Sequence, residues 1–183
     1  MLTMTPVTLE TADETAAPIL QGFKDQYGVV PNFFGALGID GATLRGYLAF
    51  EEHIEAACLL TPREREMISL AVANANGCHY CVSGHTFSAK RAGMSAEECV
   101  RAQRGEAEDA DEQAVISLAL RLMARKGHLE PADFETAATA GVSQEKLVQI
   151  CAWTAINSFS NWINNMVQPK IDFPKVPLQT GTA

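Results

Sequence analysis

The sequence predicts an all-α protein, a helical bundle, on three observations. Apolar residues recur at helical spacing along most of the chain. Helix start and stop signals bracket those stretches repeatedly. No hairpin pattern is present, and the one short β-branched pair, Val29-Val30, is ended at once by Pro31.

Residues 1–10 read as an extended arm. A first helix is expected over about residues 14–27, with Gly28 as its stop. Residues 29–38, containing Pro31, Phe33 and Phe34, read as an apolar loop or short turn. Asp40 is placed to cap a helix running to about Cys58. Thr61-Pro62-Arg63-Glu64 is a strong start: Thr61 caps, Pro62 suits the first turn, and Glu64 reaches back as in a capping box. Met67, Ile68, Leu70, Ala71, Val72 and Ala75 form the buried stripe of that helix. Asn76-Gly77 ends it, with Gly77 as a left-handed cap. A further helix is expected from about Cys78 to Gly93. Ser95 with Glu98 opens a short one to about Arg104. Residues 105–111 are an acidic loop. Val115, Leu118, Ala119 and Leu122 mark a helix over residues 111–126, ended by Gly127. Two more are expected over residues 131–140 and from Ser143 to about Asn165, which makes about eight in all. The tail, residues 169–183, carries three prolines and reads as an arm packed on a neighbour or partly disordered.

A length of 183 residues suits one domain with arms, spanning 1–183, and is ample for a core without disulfide staples. Lys and Arg number 14 against 22 Asp and Glu, so the net charge is −8. That balance opposes binding to nucleic acid or to an anionic membrane surface. No apolar run approaches bilayer length, and the N-terminus lacks a basic segment followed by an apolar one. A cytoplasmic location is expected. Five cysteines, three of them (Cys58, Cys99 and Cys151) in apolar helical contexts, do not form a secreted disulfide framework.

The chemistry concentrates in Gly77-Cys78-His79-Tyr80-Cys81-Val82-Ser83-Gly84-His85, with Glu66 twelve residues before Cys78. On a helix, Cys78, Cys81 and His85 fall at i, i+3 and i+7 and share a face, and Cys81 and His85 are direct neighbours. A thiolate is the reactive form of cysteine, and three features here favour it. The helix N-terminus supplies unpaired N–H groups. His85 is placed to take the proton of Cys81. Glu66 is placed to orient His85, as the third member of a nucleophile–base–orienter set.

These residues resemble the alkylhydroperoxidase D-like (AhpD-like), peroxidase-related branch of the carboxymuconolactone decarboxylase family. Its redox members carry Glu, eleven residues, Cys-x-x-Cys, three residues, His, and Glu66, Cys78, Cys81 and His85 stand at those spacings. Val30-Pro31-Asn32-Phe33, residues 158–165 and Ile171-Asp172-Phe173-Pro174 are similar to other segments of peroxidase-related members. The resemblance spans about residues 25–175 and is most specific over 61–88. It implies an AhpD-like helical bundle and a thiol-dependent reductase of small hydroperoxides with an antioxidant role. By that resemblance Cys81 is the peroxidatic thiol, Cys78 the resolving thiol, His85 the base and Glu66 part of a proton relay. An external dithiol donor would reopen the disulfide, with no metal or organic cofactor required. A homo-oligomer, as dimer, trimer or hexamer, is implied as well. One position departs: the best-studied subgroup has a histidine just before the second cysteine, where this chain has Tyr80.

Other readings remain open at this level. Two cysteines, a histidine and Glu66 also resemble a zinc set, although no second Cys-x-x-Cys is present. The pair would equally serve thiol–disulfide exchange or redox sensing. The sister branch, the carboxymuconolactone decarboxylases proper, generally lacks the cysteine pair. Glu66 would otherwise be a solvated member of Arg63-Glu64-Arg65-Glu66. His53 and His128 have no partner motif. Cys58, Cys99 and Cys151 are expected to be small buried hydrophobes. Trp153, Phe159 and Trp162 are assigned to core or a subunit contact. The amide-rich face of Asn157, Asn161, Asn164 and Asn165 is assigned to solvent or an oligomer contact, with a polar lining near the site as the alternative. Glu51-Glu52 and the acidic residues of 106–112 are assigned to solvated surface.

Overall fold

A computed structural model describes residues 3–180, and these form nine helices with no strand among the described residues. They are α1 (Ala16–Tyr27), α2 (Asn32–Leu37), α3 (Gly41–Ala56), α4 (Pro62–Ala75), α5 (His79–Arg91), α6 (Ala96–Gln103), α7 (Ala110–Ala124), α8 (Pro131–Thr139) and α9 (Gln144–Val167). The predicted all-α class holds, and most boundaries fall within two residues of the sequence signals.

The caps explain this agreement. Thr61 Oγ1 accepts the Glu64 N–H at 3.1 Å while Glu64 Oε2 accepts the Thr61 N–H at 2.8 Å. Ser95 and Glu98 do the same for α6, Asp40 caps α3, and Ser143 caps α9. Each such cap is worth about 1 kcal/mol. The apolar segment at 29–38 differs from expectation: Pro31 caps a short helix there, α2. Its fixed φ suits a helix entry, and the helix is too short to show a periodic stripe.

Helix α4 is the hub and packs on α5, α6, α7 and α9. Ile68 and Val72 of α4, Leu118 and Leu122 of α7, and Ile150 and Trp153 of α9 form the main core. Full burial of one such side chain stabilises by about 2 kcal/mol. A second cluster joins α4 to α5, α6 and α7 through Leu70, Ala89, Cys99 and Ile116. A third lies under the N-terminus of α5 and comprises Ala73, Cys78, Tyr80, Cys81 and Val82.

The arms are corrected most. Near the N-terminus, the Val7 N–H donates to Gly35 O at 2.9 Å, and Val7 and Leu9 pack on the α1–α3 cluster. The C-terminal segment 169–180 packs on this chain's own α5, where Ile171, Phe173, Val176 and Leu178 cover the third cluster. Gly84 admits the Phe173 ring: a Cβ there would stand 3.1 Å from it. Residues 1–2 and 181–183 of the arms lie outside the described residues. Among the described residues no helix is long and apolar enough to cross a membrane.

Candidate active site

Helices α4 and α5 form a hairpin whose turn builds the site. Gly77 takes φ +67°, a left-handed conformation that a side chain would strain. The Cys78 N–H then donates back to Ala73 O at 2.9 Å, closing the end of α4. Cys78 is the N-cap of α5, and its sulfur accepts the Cys81 N–H at 3.2 Å. Cys81 thus occupies the first turn, where the helix dipole favours a negative charge. The two cysteines form a disulfide with Cα atoms 5.3 Å apart. Cys78 is closed to solvent, while Cys81 is 5% exposed.

His85 and Glu66 meet across the hairpin, with His85 Nδ1 to Glu66 Oε2 at 3.0 Å and both side chains about a quarter exposed. A carboxylate at Nδ1 favours the tautomer with the proton there, which leaves Nε2 as the basic atom. The structure therefore brings the four residues singled out in the sequence together as two pairs, Cys78 with Cys81 and Glu66 with His85. It does not add His79, which is exposed and makes no hydrogen bond to either pair. Nor does it add His53, whose ring bonds to Ala49 O of its own helix.

Glu51 of α3 corrects the sequence reading. It is half-buried, not a solvated surface residue, and its carboxyl is pushed up to about 7. Burial is the main cause and repulsion from Glu55 the next; His85 and Arg65 pull it back, and Glu66 adds a smaller push. Glu51 belongs to the electrostatic surroundings of the Glu66–His85 pair. Burial also raises Tyr47, one turn earlier on α3, with Glu51 as the second cause. The apolar–polar pattern of α3 did not mark Glu51, because its burial comes from packing between helices, and of the charges that shift it only Glu55 is on α3 while Arg65, Glu66 and His85 come from α4 and α5.

Tyr80, the departing position, is pinned by the tail. Its hydroxyl donates to Asp172 Oδ2 at 2.5 Å and accepts the Phe33 N–H at 3.2 Å. Asn32 donates to the same carboxylate through its backbone N–H at 2.8 Å and its side chain at 2.5 Å. Burial and the adjacent carboxylate hold the Tyr80 phenol well above its usual range. Tyr80 is thereby fixed as a neutral strut that locks α2 and the tail onto α5.

For the amide face of α9 the structure favours the polar lining near the site over solvent or an oligomer contact. Asn157, Asn161 and Asn164 are buried, and Asn165 alone of the four is exposed. Asn164 Nδ2 donates to Cys81 Sγ at 3.3 Å. Asn161 Oδ1 accepts from Asn76 Nδ2 at 3.1 Å, and Asn165 Nδ2 donates to Asn76 O at 2.7 Å. A cavity of about 510 Å³ opens beside this face, lined by Cys78, His79, Tyr80, Asn164, Gln168 and Ile171. Of the remaining cysteines, Cys99 is buried as expected, Cys58 is partly buried, and Cys151 is exposed on α9, against expectation. Trp153 is core and donates to Ser69 Oγ at 3.0 Å, whereas Trp162 is exposed. Among the described residues no three His, Cys, Asp or Glu side chains are grouped to hold a metal ion.

Comparison with known proteins bears on the family and the fold. Residues 41–123, which contain Glu66, both cysteines and His85, match the carboxymuconolactone decarboxylase family. No curated protein matches the chain. Among solved structures, the chain is similar to an alkylhydroperoxidase AhpD core, a peroxidase-related protein from Ralstonia eutropha JMP134 (TM-score 0.80, 24% identity, 95% of this chain and 93% of that one). It is also similar to a peroxidase-related protein from Silicibacter sp. TM1040 (TM-score 0.78, 20% identity, 93% of this chain and 94% of that one). A third is the debrominase Bmp8 in complex with 2,3,4-tribromopyrrole (TM-score 0.75, 21% identity, 94% of this chain and 92% of that one). At these identities the structural likenesses speak for the fold. Over residues 41–123 the chain is similar to the carboxymuconolactone decarboxylase family, and its fold as a whole is AhpD-like.

Proposed function

We propose that this protein reduces small hydroperoxides with the Cys78–Cys81 pair, in an antioxidant role. The observation that carries the reading is the Glu66–His85 pair, bonded at 3.0 Å one helical turn beyond Cys81. His85 Nε2 takes the Cys81 proton, and the first turn of α5 favours the resulting thiolate. The thiolate attacks the terminal peroxide oxygen. A sulfur–oxygen bond forms, the oxygen–oxygen bond breaks, and the electron pair leaves on the alkoxide, which takes the proton from His85. Sulfur is oxidised to the sulfenic acid and the peroxide is reduced to an alcohol. The Cys78 thiol then attacks Cys81 sulfur; the disulfide forms, and hydroxide leaves with the Cys78 proton as water. A small-molecule or protein dithiol restores both thiols by exchange and is itself oxidised.

The test is free-thiol titration of reduced protein before and after one equivalent of an organic hydroperoxide. Loss of two thiols in the wild type, absent in Cys81→Ser, supports the cycle. No loss in the wild type overturns it. Activity on a lactone substrate that survives Cys81→Ser would favour the decarboxylation in the family's name instead.

A further inference from the structure

Helix α9 buries three amides at i, i+4 and i+7: Asn157, Asn161 and Asn164, each 5% exposed or less. A buried amide left without partners costs about 1–3 kcal/mol, where a leucine would add to the core. Asn157 is satisfied within its own helix, through Nδ2 to Trp153 O at 2.9 Å. Asn161 braces the hairpin turn through Asn76. Asn164 has no such structural partner. Its Nδ2 points at Cys81 Sγ, 3.3 Å away, and its Oδ1 is buried with no hydrogen-bond partner.

A disulfide sulfur is a poor acceptor, and a thiolate is a strong one. The Nδ2–H of Asn164 is therefore aimed at an atom that repays it fully only when charged. Asn164 Oδ1 belongs to the same planar amide and is the buried atom left without a partner. We infer that Asn164 is a catalytic residue: its Nδ2–H is the fixed donor to the Cys81 thiolate, and its Oδ1 is the acceptor for the S–O–H proton once Cys81 is oxidised. The donor half needs only a reactive Cys81. The acceptor half rests on the peroxidase reading. In that step the sulfenic acid keeps the Nδ2–H on sulfur and turns its own O–H to Oδ1, so one amide reads both atoms of the new S–O bond.

The experiment is the pH profile of iodoacetamide alkylation at Cys81 in reduced protein, read on the Cys81 peptide by mass spectrometry. The variants are Asn164→Leu, Asn164→Asp and, as control, Asn157→Leu. The titratable groups of the surrounding elements (Cys78, Tyr80 and His85 on α5, Glu66 on α4, Glu51 on α3, Asp172 on the tail) are the same in all of them. A hydrogen bond to a charged group is worth about one pKa unit, so Asn164→Leu should raise the midpoint by about one pH unit and slow alkylation at neutral pH about tenfold. Asn164→Asp should raise it further, because it sets a negative charge beside the thiolate. Asn157→Leu should leave it in place. Unchanged midpoints in both Asn164 variants overturn the inference. A measurement on the wild type needs no folded variant: the side-chain NH2 resonance of Asn164 should move with the Cys81 titration in reduced protein, and a resonance that stays fixed overturns the inference equally. Neither readout uses peroxide. A shifted midpoint in a protein that reduces no hydroperoxide upholds the donor half and rejects the peroxidase reading; full peroxide turnover with no shift does the reverse.

Discussion

Glu66 accepts from His85 Nδ1 at 3.0 Å, and this contact decides which ring nitrogen is free to act. Glu66→Gln keeps the shape and a possible hydrogen bond but removes the charge that stabilises a protonated His85. General-base assistance is worth about 10²–10⁴-fold, and a variant that keeps the base but loses its orienter should forfeit the lower part, about 10–100-fold in single-turnover peroxide oxidation. Circular dichroism and the melting temperature should barely change. An unaltered rate would make Glu66 a structural residue. Both pairs at this scale were legible in the sequence, because Glu66, Cys78, Cys81 and His85 sit on two consecutive helices with a short turn between them. Glu51 and Asn164 were not. One faces the site from α3 and the other from α9, and their positions depend on packing between helices far apart in the chain.

At the scale of elements, the bundle is tied where the helices start. The capping box of Thr61 and Glu64 does more than begin α4: Glu64 is buried, and its Oε1 accepts from Lys146 Nζ at 2.6 Å, linking the first turn of α4 to that of α9. Removing the cation leaves a carboxylate in the interior with only backbone partners. Lys146→Met should therefore destabilise the protein by about 2 kcal/mol, seen in urea as a lower midpoint at unchanged slope. The double variant with Glu64→Gln should recover part of that loss. An unchanged midpoint for Lys146→Met would show that the pair contributes nothing. The cap at Thr61 could be read from sequence because it is local. The partner of Glu64, 82 residues away, could not be. The same reason hid the tail. Asp172 reaches Asn32 across 140 residues of chain, so nothing in the proline-rich composition of the tail announced that it is a strap over α5. The amphipathic pattern did locate the long helices, whose apolar stripes are sampled over three turns or more, while α2 with six residues gives no stripe to count.

For the whole molecule, the acidic balance of −8 has a local consequence around the site. Glu51, Glu55 and Glu66 converge there against only Arg65 and His85, and the Glu51 carboxyl is pushed up to about 7. The folded protein thus holds this proton more tightly than the unfolded chain does. The contribution of Glu51 to stability is full below its ordinary value of 4.5 and is lost as pH rises through about 7. Glu51→Gln removes that loss. Its melting temperature should exceed that of the wild type by a few degrees at pH 8, and the two should converge at pH 5. Parallel melting curves at both pH values would contradict the electrostatic picture of the site. That site, with its carboxylates, base and cysteine pair enclosed by α3, α4, α5, α9 and the strap, is the reason for reading the molecule as a thiol peroxidase.

The most direct measurement of that reading is the product balance of a single turnover. Reduced protein is mixed with one equivalent of an aromatic hydroperoxide, and the alcohol formed is counted against thiols lost and the Cys78–Cys81 disulfide gained. One alcohol per disulfide, with neither formed by Cys81→Ser, is the predicted result. Disulfide without alcohol, or alcohol formed equally by Cys81→Ser, would contradict it.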